Sequence, residues 1–124
     1  MEEQIFTKLI GFLSRVPAIH GAIGKGLDEH GHWWVKFRIE THHEYAWHTV
    51  QELGHILNYL TLNERLPTSF KPISPPPYMN GGPEEFLSWV IESNDSDFTP
   101  DICAKWLEGR LPNPVEDLEQ WADN

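Results

Sequence analysis

The chain has 124 residues, 40% of them hydrophobic, with six Trp, six Phe and three Tyr, which reads as one domain (1–124) with a real core and excludes disorder beyond the last few residues. No apolar run approaches the ~18–20 residues needed to span a bilayer, the single Cys103 excludes an internal disulfide, and MEEQ is acidic where a secretory signal would be basic, so a cytoplasmic protein is expected. The net charge of −10 is concentrated in residues 83–124, where eleven acidic residues face only Lys105 and Arg110; a field of that sign repels nucleic acid and anionic lipid and attracts basic surfaces.

Ile5, Phe6, Leu9, Ile10 and Leu13 recur at the spacing of an amphipathic helix, and Pro17 stands just past its end. Ala18–Leu27 and His32–Glu40, joined by Asp28-Glu29-His30-Gly31, predict a β-hairpin. In its second strand Trp34, Lys36, Arg38 and Glu40 share one face, with Val35, Phe37 and Ile39 on the other. Gly21, Gly24 and Gly26 weaken the first strand. From Glu44 to about Leu60, Trp47, Val50, Leu53, Leu57 and Leu60 predict a second helix, which Gly54 weakens by roughly 1 kcal/mol relative to Ala.

Leu66-Pro67 opens an irregular stretch to Gly82 whose Pro75-Pro76-Pro77 run suits a stiff polyproline connector. Three helix starts follow. Pro83 with Glu84 and Glu85 precedes an apolar stripe of Phe86, Trp89 and Val90. Thr99 caps a helix that continues through Pro100, Asp101, Ile102 and Trp106 and stops at Gly109. Asn113-Pro114, with Glu116 three residues after the cap, begins the last. The fold class is α+β: an N-terminal helix, a hairpin or small antiparallel sheet, then several helices with a Pro-rich connector.

Seven histidines raise a metal hypothesis, and His48, Glu52 and His55 share one face of the second predicted helix. Imidazole and carboxylate are credible ligands for Zn²⁺ or Fe²⁺, although the spacing is not His-Glu-x-x-His, three ligands on successive turns of one helix rarely converge on one ion, and ordinary solvated histidines are the simpler account. A small metal-dependent enzyme built on these three residues is therefore one alternative. The Gly21, Gly24, Gly26 and Lys25 cluster lacks the spacing and the hydroxyl of a phosphate loop. Cys103, between Ile102 and Ala104, reads as a small core residue, with a reactive thiol near a helix start as its rival. No serine elbow is present. Nothing assembles into a catalytic set, and no cofactor is expected.

Surface recognition remains. Tyr78, Met79 and Asn80 form the tip between three prolines and two glycines, either presented rigidly or tucked under the helices as an anchor.

LPTSFKPISPPPYMNGGPEEFLSWVIES (Leu66–Ser93) and FTPDICAKWLEGRLPNPVEDLEQW (Phe98–Trp121) resemble segments of small bacterial immunity proteins of contact-dependent growth inhibition and related polymorphic toxin systems. The resemblance implies a cytoplasmic protein without chemistry of its own that binds and neutralises a cognate toxin, the C-terminal domain of a large secreted protein. Such toxins are often nucleases with basic surroundings to their active sites. On that reading Glu84, Glu85, Asp95, Asp97 and Asp101 supply electrostatic complementarity, with Tyr78 or Trp89 as an aromatic anchor. Neither nucleic acid nor membrane is an expected partner. An acidic assembly subunit meeting a basic protein that is not a toxin is the other alternative.

Overall fold

The computed structural model describes residues 2–40, 42–59, 68–73, 88–112 and 114–122. In chain order these form α1 (Glu2–Ser14), β1 (Ile19–Leu27), β2 (Trp33–Ile39), α2 (Ala46–Gly54), a π-helical turn (His55–Tyr59), β3 (Thr68–Ile73), β4 (Ser88–Ser93), α3 (Pro100–Glu108) and α4 (Leu118–Ala122). The class is α+β, as the patterning predicts. The strands make one antiparallel sheet in the order β1-β2-β4-β3.

Helix α1 buries Phe6, Leu9, Phe12 and Leu13, with Ile5 and Ile10 at the margin of the core. Its end tightens into three-residue turns, Arg15 N to Phe12 O and Val16 N to Leu13 O, before Pro17 prevents continuation. The buried stripe faces the inner side of the sheet and α3. Phe6 meets Trp33 edge to face at 6.4 Å, and the buried Trp33 indole donates Nε1–H to Phe98 O at 2.6 Å.

β2 alternates as its sequence predicts: Trp33, Val35, Phe37 and Ile39 inward, Trp34, Lys36 and Arg38 outward. The predicted hairpin is present, with Leu27 opposite Trp33 and Ile19 opposite Ile39. The glycines of β1 permit its irregularity: four residue steps from His20 to Gly24 answer two on β2, and Gly21 takes φ of 80° there, a conformation that favours glycine.

Four expectations are corrected. Trp89 and Val90 are not on a helix: Ser88–Ser93 is strand β4, an inner strand between β2 and β3, and Phe86 lies outside the described residues. Trp89, Val90 and Ile91 are all buried, so the run has no strand alternation to read, and the Pro83 helix cues, which lie outside the described residues, pointed the other way. The stretch after Pro67 is not wholly irregular, since Thr68–Ile73 is strand β3, at the edge of the sheet among the described residues. The second helix buries Ala46, Thr49 and Leu53 and leaves Trp47 58% exposed, outside the stripe. The last helix begins at Leu118 rather than after Asn113, where Asp117 Oδ1 accepts from Glu119 N at 3.0 Å. The Thr99 cap and the Gly109 stop of α3 are as expected, with Thr99 Oγ1 accepting from Ile102 N at 3.3 Å.

The outer edge of β3 is closed by a side chain. Asn58, on the π-helical turn, donates Nδ2–H to Phe70 O and accepts from Phe70 N, both at 2.7 Å. Its amide acts as a one-residue strand. Since Phe70 directs its backbone groups away from β4, so does Pro72 two residues on. Proline therefore occupies a position where no ladder hydrogen bond is lost.

Candidate functional site

Because β4 runs antiparallel to β2 with Ser93 opposite Trp33, the turn after β4 and the turn before β2 lie at the same end of the sheet. They abut: a Cβ on Gly31, whose φ is 84°, would lie 2.6 Å from Ser96 Cβ. Each turn is organised by its own aspartate. Asp28 Oδ1 accepts from His30 N at 2.8 Å and His32 N at 2.9 Å, and its Oδ2 stands 3.4 Å from His32 Nδ1. Desolvation pushes the Asp28 carboxyl up, but those two amides and the attraction of the two imidazoles outweigh it and leave it below the usual carboxylate value. In the other turn Asp95 Oδ1 accepts from Asp97 N at 2.9 Å, while Asp95 N donates to Ser93 Oγ at 3.2 Å.

The four residues Asn94, Asp95, Ser96 and Asp97 are all exposed, between buried Ser93 and buried Phe98. The sheet end thus carries Asp28, Glu29, Asp95 and Asp97 on two braced turns. Of the acidic residues expected at the binding surface, Asp95 and Asp97 fall together here. Asp101 stands apart in the first turn of α3, half-buried, with Oδ1 shielded from solvent and without a hydrogen-bond partner among the described residues. Glu84, Glu85 and Tyr78 lie outside the described residues. Trp89 is not an exposed anchor: it is 7% exposed, on the core side of β4, stacked on Phe70 at 5.0 Å.

The solvent side of the sheet offers a different aromatic. Trp34 is 38% exposed. Its indole lies directly over Gly26, where a Cβ would come within 2.4 Å of the ring. Glu92 is its cross-strand neighbour on β4. Beside this row opens a cleft of about 370 Å³, lined among others by Gly26, Asp28, His32, Trp34, Glu92 and Asn94. Sequence reading placed Trp34 on the solvent face but not at a site. The signal was there in the hairpin register, which sets a large exposed aromatic opposite a glycine.

A second, more polar cleft of about 590 Å³ lies between the end of α1, α3 and the chain leading to α4. It holds both signs of charge: Arg15 stands 3.7 Å from Glu116, and Lys105 and Glu108 also line it.

His48, Glu52 and His55 do not form a metal centre. Among the described residues no three His, Cys, Asp or Glu side chains are placed to hold an ion. His48 packs edge-on against Tyr45 at 5.6 Å instead. Cys103 is fully buried, and burial pushes its thiol up to about 12. That is the core reading, and it removes the thiolate a nucleophile requires. Among the described residues no helix is long and apolar enough to cross a membrane. The chain matches no family model, no curated protein and no solved structure.

Proposed function

We propose that this protein is an immunity-type inhibitor that binds and neutralises a basic protein toxin, the C-terminal domain of a large secreted protein, and does so by occupying a surface rather than by chemistry. The observation that carries the reading is the grouping of Asp28, Glu29, Asp95 and Asp97 on two mutually braced turns. Turns whose backbone is already fixed lose little conformational entropy on binding. A negative patch on a chain of net charge −10 steers a basic partner and competes with nucleic acid for it. The resemblance of Leu66–Ser93 and Phe98–Trp121 to immunity proteins supports the same reading.

The test is capture from the source cells with tagged protein at low salt and at about 0.5 M salt, where screening is nearly complete beyond a few ångströms. A basic toxin fragment retained at low salt is the expected result. The double reversal Asp95→Lys with Asp97→Lys should weaken its binding by about tenfold and flatten the salt dependence. Unchanged affinity and salt slope would remove this surface from the reading. A basic partner that is no toxin would turn it into an assembly subunit.

A further inference from the structure

The cleft beside Trp34 combines three features. First, the indole lies flat on the sheet: Gly26 beneath it has no Cβ, and Gly24 is the next contact, 3.7 Å from the ring by its would-be Cβ. One ring face is therefore covered by backbone, and the residue remains 38% exposed. Second, two carboxylates flank the cleft with acceptor capacity left over. Lys71 Nζ at 2.8 Å and Ser69 Oγ at 3.4 Å both approach Oε1 of Glu92, so Oε2 takes neither. Both Asp28 amide bonds fall on Oδ1, while Oδ2 has the His32 imidazole beside it at 3.4 Å. Third, the ring already attracts a cation, Lys36 Nζ at 5.9 Å from its centroid.

A held aromatic face with carboxylates beside it suits a planar cation, which stacks on the ring and donates in the plane to carboxylate oxygens. At about 370 Å³ the cleft lies at the small end of the range of ligand pockets, roughly 300–1,000 Å³, room for a side chain rather than a folded segment. We propose that this cleft receives an arginine side chain of the basic partner, with Trp34 stacking on its guanidinium and Asp28 and Glu92 accepting from it. The assignment rests on the inhibitor reading above, and makes Trp34 the aromatic anchor of that interface.

Other features of the molecule carry less. The mixed charges of the cleft at Arg15 and Glu116 select no one ligand, and nothing shows what would cover exposed Trp47.

The experiment is a titration of the isotope-labelled full chain by NMR, following the Trp34 indole N–H and the Asp28–His32 amides. The probes are a short peptide with one arginine and the same peptide with citrulline, which keeps the shape and removes the charge. The arginine peptide should shift these signals saturably and the citrulline peptide should not. Asp28→Asn keeps the amide acceptor of the turn and Glu92→Gln keeps the Ser69 contact, so both preserve the fold. Each should weaken binding by about fivefold. Trp34→Leu should abolish it, and Lys36→Met, which removes the resident cation, should tighten it. Equal effects of the two peptides, or undiminished binding by the Trp34→Leu variant, would overturn the proposal. The two readings fail separately. If the partner is captured equally well by wild type and Trp34→Leu, the cleft assignment falls and the inhibitor reading stands. If no basic partner is captured while the arginine peptide binds, the cleft stands and the inhibitor reading falls.

Discussion

At Cys103 a single thiol reports on the whole core. With the folded thiol held near 12 and its ordinary value at 9.0, the unfolded chain releases this proton first as pH rises. The stabilisation from keeping the thiol neutral is complete below about pH 9 and is lost progressively towards pH 12, with a slope of at most about 1.4 kcal/mol per pH unit. Denaturant unfolding at intervals from pH 8 to pH 11 should show a steeper alkaline decline for wild type than for Cys103→Ala. Parallel declines would mean the site is not sealed. Cys103 was legible in the sequence as a core residue from its apolar neighbours Ile102 and Ala104. Trp34 was legible only by half, since its exposure followed from strand alternation but its seat on Gly26 is a cross-strand fact.

Among the elements, local signals succeeded where one face is buried and the other exposed. Helix α1, the β1–β2 hairpin and capped α3 all have that contrast, so period and caps suffice to find them. β4 has no contrast because Val90 on its outer face is buried along with Trp89 and Ile91 on its inner face, and β3 carries a proline that argues against a strand until its outward register is known. Both depend on long-range pairing, which no window of sequence contains. That explains why the acidic sheet end was half visible: Asp95 and Asp97 stood out by charge, while Asp28 joins them only through the β2–β4 ladder. The clasp on β3 yields its own prediction. Asn58→Ala leaves the Phe70 backbone groups without their partner and should lower stability by about 1–3 kcal/mol in denaturant unfolding. Amide exchange at Phe70, whose N–H loses its acceptor, should accelerate by more than the global change, and an acceleration no larger than the global change would show that the clasp does not protect it. An open strand edge also invites pairing between chains, so the variant should associate more readily on concentration.

For the molecule as a whole, a net charge of −10 on 124 residues works against folding and in favour of encounter. Self-repulsion raises the energy of the compact state, and salt relieves it. The melting temperature should therefore rise between about 0.01 and 0.2 M NaCl, as the screening length falls from about 30 Å to below 10 Å, while on the proposed inhibitor reading affinity for a basic partner should fall over the same range. Thermal melts and binding titrations in matched buffers check the two slopes. Slopes of the same sign would show that the partner is not recognised through charge.

The turn between β4 and α3 has one further property. Its exposed residues 94–97 are held between Ser93, whose hydroxyl meets Asp95 N, and Phe98, whose carbonyl is fixed by the Trp33 indole. Both supports belong to the buried interior, and the exposed residues between them contribute little to it. The side chains of Asn94 and Asp97 can therefore change while these supports continue to hold the turn. Asp95, whose carboxylate accepts from Asp97 N, and Ser96, pressed against Gly31, are the positions of this turn that the scaffold constrains as well.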